Sequence, residues 1–181
     1  MANLSTGNGF PDVVVTGIAM TTALATDADT TWAKLLDGQS GIRKLDDAFV
    51  DEFALPVCIG GHLLEDFDPY LTRIELRRFL YLQKIATQVG RRLWDSAGSP
   101  EVDTRRLMVS IGTGMGSTQE FIEVNDDFLK RGLRAISPVG VQKAMPNAAA
   151  AAVGLERGAK AGILTPVSAC GPASGSRRSP R

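Results

Sequence analysis

Apolar positions along this 181-residue chain come in short blocks, and the period of the blocks changes from one stretch to the next. Val13-Val14-Val15 follows Pro11-Asp12 and runs towards Ile18; three β-branched residues without alternation predict a strand buried on both faces. Thr30–Leu36 sets Trp32, Leu35 and Leu36 at helical spacing, with Asp29 or Thr30 placed to cap the helix and Gly38 to close it. Residues 42–56 mix Ile42, Leu45, Phe49 and Phe53 with acids in no regular period and are expected to form a structured loop. Val57-Cys58-Ile59 predicts a second short strand, stopped by Gly60-Gly61. From Arg73 to Ala97 the apolar positions Ile74, Leu76, Phe79, Leu82, Ile85 and Val89 make a broad stripe, which predicts one long helix ended by Gly98-Ser99-Pro100.

The C-terminal part repeats the change of period. Leu107–Ile111 predicts a third strand, running straight into Gly112-Thr113-Gly114-Met115-Gly116. A helix of mixed polarity is expected from about Thr118 to Lys130, and a shorter one from Val139 to Ala144 after Ser137-Pro138. Pro146-Asn147 breaks the chain, and Asn147 is placed to cap a small-residue helix from Ala148 to Glu156. Its alanine run, 148–152, predicts close packing against another backbone, because larger side chains would hold the two elements apart. Gly158 and Gly162 bracket the turn into a fourth strand, Ile163–Ala169, which delivers Cys170. Strands separated by helices predict an α/β layer architecture with a mostly parallel sheet.

Composition then narrows the function classes. Twenty Lys and Arg balance twenty Asp and Glu, a formal net charge of zero. The cationic face of the 73–97 helix, with Arg73, Arg77, Arg78, Lys84, Arg91 and Arg92, therefore reads as a solvated face or one paired with local acids. Nucleic-acid binding, which needs a clustered excess of positive charge, is not expected. The chain is 44% hydrophobic and 22% charged, the composition of a globular protein long enough for one domain with a sizeable core. No apolar run approaches the ~18 residues of a membrane span. The polar start, Met1–Pro11, has neither a basic beginning nor an apolar stretch, which points to the cytoplasm; residues 1–10 are expected to be disordered.

Two cysteines, Cys58 and Cys170, are too few for a disulfide framework, and one histidine, His62, without a Cys pair at ligand spacing gives zinc no support. No cofactor is expected. Gly112–Gly116 after a strand suggests a dinucleotide turn, but the fingerprint needs a glycine where Ser117 stands, and it belongs to a first strand. A tight strand-to-helix connection is the better reading. His62 reads as a structural or surface histidine, and Cys58, inside a strand, as a small core residue. Cys170 ends a strand among small residues, where α/β sites form. Residue physics leaves it either a buried structural thiol, the favoured reading, or, if a helix began there, a thiolate stabilised by that helix dipole.

A resemblance changes that balance. Thr165-Pro166-Val167-Ser168-Ala169-Cys170 resembles the nucleophile segment of the β-ketoacyl-acyl-carrier-protein synthases. Ile111–Gly116 is similar to their glycine-rich segment, and Met145-Pro146-Asn147 with its alanines to the helix before their active-site strand. Val13–Gly17 and Gly38–Ile42 match as well, and Leu93–Val102 looks closest to the mycobacterial type that elongates mycolic-acid precursors. The resemblance covers roughly residues 10–170. It implies the N-terminal half of a thiolase-like αβαβα fold, normally homodimeric, and a decarboxylative Claisen condensation. In that chemistry the cysteine takes an acyl chain from acyl carrier protein, two histidines assist decarboxylation of the malonyl thioester, and backbone N–H groups hold the oxyanion. Cys170 alone carries over as a catalytic residue, the acyl-accepting nucleophile.

The resemblance weakens after Cys170. Gly171–Arg181, with its prolines, glycines, serines and arginines, departs from the apolar helix of the family and is expected to be an aberrant tail. His62 matches neither family histidine. The chain thus reads as a ketosynthase N-terminal part broken after its nucleophile and not expected to complete the reaction. The other readings are a non-catalytic half-domain that binds carrier protein or a synthase subunit, and a nucleotide-binding domain resting on the 112–116 glycines alone.

Overall fold

A computed structural model describes residues 13–168 of the chain, in two compact units. One comprises the residues up to Leu64 with Arg92–Pro100; the other comprises Glu65–Arg91 and the residues from Glu101 onward.

In the first unit, α1 spans Ala28–Leu36. Its cap is Asp27, whose carboxylate accepts the Thr30 N–H at 2.8 Å, and not Asp29 or Thr30 as the spacing suggested. The apolar pattern starts late because the first turn is built from polar residues, and Asp29 lies inside it, where it favours the helix dipole. Residues 42–56 are more regular than a loop. They hold β1 (Arg43–Lys44) and α2 (Ala48–Glu52), with Val50 buried beneath. β1 pairs antiparallel with β2 (Ile59–Gly60), so Gly60 belongs to the strand rather than ending it. Cys58 precedes that strand and is exposed, a correction to its reading as a core residue: two residues of ladder make too narrow a ribbon to cover it. The glycine at 41 is needed here, since a Cβ at that position would lie 2.8 Å from Ala23 Cβ.

Val13–Ile18 forms no strand among the described residues, and Val13 is 98% exposed. A β-branched run favours extension, but only a partner's N–H and C=O groups turn extension into a ladder.

The second unit divides the long predicted helix in two, α3 (Arg73–Arg78) and α4 (Tyr81–Ser96), the last turns of α4 belonging to the first unit. Phe79 is extended (φ −94°, ψ 135°), and the Leu80 N–H is taken by Gln83 Oε1, a side-chain cap that starts α4 afresh. Thr72 and Glu75 close α3 with a full capping box. The buried positions of α4 are Gln83, Thr87 and Gln88, not the apolar stripe, and Ile74 and Tyr81 are exposed. Two of these polar side chains are buried because they serve neighbouring backbone, Gln83 at the cap and Gln88 by donating to the Tyr70 carbonyl. Two of the cationic side chains find acids: Lys84 pairs with Asp68, and Arg91 with Glu75 and with the sequence-distant Glu156. Phe67, 1% exposed, packs edge-on against Tyr81.

β3 (Met108–Ser110) and β4 (Gly162–Leu164) run parallel, Val109 opposite Ile163. Between them come α5 (Thr118–Arg131), α6 (Gly140–Ala144) and α7 (Ala148–Arg157). This is the expected α/β alternation, although the described strands make two separate pairs, one parallel and one antiparallel. In α7 the first three alanines are buried, and the helix comes close to α4 at Val153. Ala149 and Ala150 are each 1% exposed, and a Cβ on Gly90 would already sit 3.3 Å from Val153. Asn147 does not cap with its side chain: its backbone is already helical (φ −81°, ψ −1°), which turns the amide away from the N–H groups it would serve. No described helix is long and apolar enough to cross a membrane.

Candidate active site

Parallel strands release their chains at the same edge, and at the carboxyl edge of β3 and β4 the glycine-rich turn meets the segment that leads towards Cys170. The ladder continues beyond the strands as an isolated parallel bridge between Thr113 and Val167. Ile111 N–H donates to the Leu164 carbonyl at 3.0 Å, Thr113 N–H to the Pro166 carbonyl at 3.0 Å, and Ser168 N–H to the Thr113 carbonyl at 3.2 Å. Ala169 and Cys170 lie outside the described residues, as does the Gly171–Arg181 tail.

The turn is shaped by its own residues. Thr113, 8% exposed, accepts the Gly116 N–H on its hydroxyl at 3.1 Å. Gly116 has φ +73°, and a Cβ there would stand 3.1 Å from Pro146 Cα, so glycine is required both for the backbone and for the approach of Pro146 before α7. The glycines thus allow close packing of a strand-to-helix connection, as expected. Met115 at its crest is 70% exposed.

A cavity of about 530 Å³ opens beside this turn, lined by Phe79, Leu80, Tyr81, Gly116, Ser117 and Glu120 among others. Its walls are the beginnings of α4 and α5. Partial desolvation raises the Tyr81 hydroxyl above its ordinary value, although the side chain as a whole is exposed.

The other sequence candidates belong to the first unit. His62 is a surface residue of the first unit, its Nε2 3.3 Å from Asp47 Oδ2, and its side chain is 61% exposed. Cys58 is in the same unit. Thr113 is the residue that pattern reading passed over. Its signal was a hydroxyl between two glycines directly after a strand, where the buried position of a turn can hold its own backbone.

A family model described as beta-ketoacyl synthase, N-terminal domain, matches residues 11–176. The chain is 71% identical over 170 residues to "3-oxoacyl-[acyl-carrier-protein] synthase 2" of Mycobacterium tuberculosis (strain ATCC 25618 / H37Rv), a match covering 94% of this chain and 41% of that protein. The chain therefore spans about two-fifths of the length of that curated relative. Among solved structures, a beta-ketoacyl synthase from Burkholderia phymatum STM815 superimposes with a TM-score of 0.73 at 23% identity, covering 90% of this chain and 40% of that one. A ketosynthase of a type II PKS, solved in complex with its acyl-carrier protein, gives 0.59 at 13% identity, covering 83% and 40%. These two share the thiolase-like fold with the chain.

Proposed function

Because the chain belongs to the β-ketoacyl synthase family, we propose that it supplies the acyl-accepting part of a decarboxylative Claisen condensation, with Cys170 as the nucleophile. The observation that carries this reading is a family match running through Cys170, on a segment whose approach is laddered to the glycine turn. In the acyl-transfer step the Cys170 thiolate attacks the carbonyl of an acyl thioester on acyl carrier protein. The tetrahedral oxyanion collapses, the carrier thiol leaves with a proton, and a thioester remains on Cys170. In the condensation step a malonyl thioester loses carbon dioxide, its carbanion attacks the Cys170 thioester, and the cysteine leaves as thiolate.

The partners of this reading are acyl carrier protein with its acyl and malonyl thioesters, a homodimeric assembly, and a cytoplasmic setting. The mycobacterial relatives support fatty-acid elongation towards mycolic acids as the pathway. The second step also needs the two histidines of the family, and His62 matches neither family motif. We therefore take the 181-residue chain to be acylated but not to condense. A non-catalytic half-domain that binds carrier protein or a synthase subunit is the other reading, favoured by the apolar residues the structure leaves exposed.

The test is intact-mass analysis of the chain after incubation with a short acyl thioester. One acyl adduct that disappears in Cys170→Ser and survives in Cys58→Ser is the expected result. Labelling of Cys58 alone, or no adduct, would remove the nucleophile assignment and leave the binding reading. Adding malonyl thioester is expected to release no carbon dioxide.

A further inference from the structure

We propose that Thr113 is the positioning residue for the Cys170 segment: its hydroxyl locks the glycine turn so that its backbone can hold the last rungs of ladder before the nucleophile. The proposal rests on the reading of Cys170 above. Three bonds converge on this residue. Its N–H and C=O grip Pro166 and Ser168 on either side of Val167, and its Oγ1 takes the Gly116 N–H. Ser168 is the last described residue, and Cys170 stands two positions further on; two residues of extended chain reach at most about 7 Å. The anchor at the Ser168 N–H is therefore the last described hold on the backbone before the residue that carries the nucleophile.

The hydroxyl matters because the turn has nothing else to stiffen it from within. Gly114 has no heavy atom within 4 Å of where a Cβ would be, and Met115 faces solvent. Gly116 is backed by Pro146 on one side and tied to Thr113 Oγ1 through its N–H. With that tie the turn is a clamp between the start of α7 and the 166–168 segment. Without it the Gly116 N–H has lost its partner in a part-buried place, and Thr113 is free to leave the ladder.

Amide hydrogen exchange on the full chain tests this. In the parent, the Gly116 and Ser168 amides are expected to be protected. In Thr113→Val, which keeps the β-branched shape and loses the acceptor, both are expected to exchange about fivefold faster or more, the factor carried by one typical net hydrogen bond, while Gly154 in α7 and Gly90 in α4 are unchanged. Thr113→Ser keeps the hydroxyl and is expected to restore protection at both sites, which loss of packing alone would not explain. Equal acceleration at all four amides would show a merely structural role and overturn the proposal, as would no change at Ser168. If Thr113→Val does not fold, Thr113→Ala takes its place with the same readouts, and a Ser168 amide exchanging at its unprotected rate in the parent ends the idea. The acylation rate of Cys170, measured in a Cys58→Ser background, is expected to fall in Thr113→Val and recover in Thr113→Ser. Failure of the parent to acylate counts against the nucleophile, while the exchange result still decides the role of Thr113.

Discussion

Phe67 shows how much of the second unit rests on single side chains. It is 1% exposed and the largest fully buried hydrophobic side chain described, in a core otherwise rich in alanine. Phe67→Ala is expected to destabilise the chain by about 3–5 kcal/mol, measured by urea unfolding, because removing a buried ring leaves a cavity that its surroundings fill only in part. Residue identity alone was a weaker guide elsewhere. Cys58 belongs to a residue type usually found inside, yet it stands exposed, since burial depends on what covers a position and the β1–β2 ribbon is two residues wide. Thr113 shows the converse, a polar residue that pattern reading passed over and that three hydrogen bonds make central to its turn.

At the scale of elements, local chemistry overrode the apolar period. The stripe from Ile74 to Leu93 reads as one helix, but the Gln83 side chain caps Leu80 and the chain starts a second helix at Tyr81. Six-residue α3 then depends on its capping box and on Arg91. Thr72→Ala is expected to cost about 1 kcal/mol and to raise amide exchange across Arg73–Arg78 first. The acid response has a definite sign. Burial acts to raise the Glu75 carboxyl, but the Thr72 N–H and hydroxyl together with Arg91 hold it below the ordinary glutamate range. A group depressed in the folded state stabilises above its unfolded pKa and loses that contribution as pH falls through the folded one. Acid titration followed by circular dichroism should therefore show a loss of stability below the ordinary glutamate range that is smaller in Glu75→Gln, with no difference between the two proteins in that loss from neutral pH down to that range. In α7 three residues of the alanine run, Ala148, Ala149 and Ala150, are buried, as their small size allows.

For the molecule as a whole, apolar exposure is the governing fact. Val13, Val15, Trp32 and Leu36 in one unit, and Leu129, Leu133, Val141 and Leu155 in the other, are each more than half exposed. A parallel pair of strands normally lies covered on both faces, yet Met108 is 50% and Ile163 42% exposed in β3–β4. The chain is expected to bind an apolar fluorescent dye strongly while keeping its cooperative far-ultraviolet unfolding transition, and to self-associate as its concentration rises. Weak dye binding by a folded monomer would contradict the exposure described. The same exposure explains why Val13–Ile18, extended by propensity, carries no ladder among the described residues.

Much of this was legible in the residues. The α/β alternation, the limits of α5 to within a residue and the glycine turn after β3 follow from period, turn chemistry and spacing, which are local properties, while the family was legible as a resemblance of ordered motifs to known synthases. What needed the tertiary structure was non-local. Which side chain caps a helix, whether a β-branched run finds a partner, which face of α4 turns inward, and that the Thr113 backbone and the 166–168 segment share a ladder all depend on residues far apart in the chain meeting in space. Hydrogen bonds and burial are properties of such meetings, and a linear pattern records only one party to each.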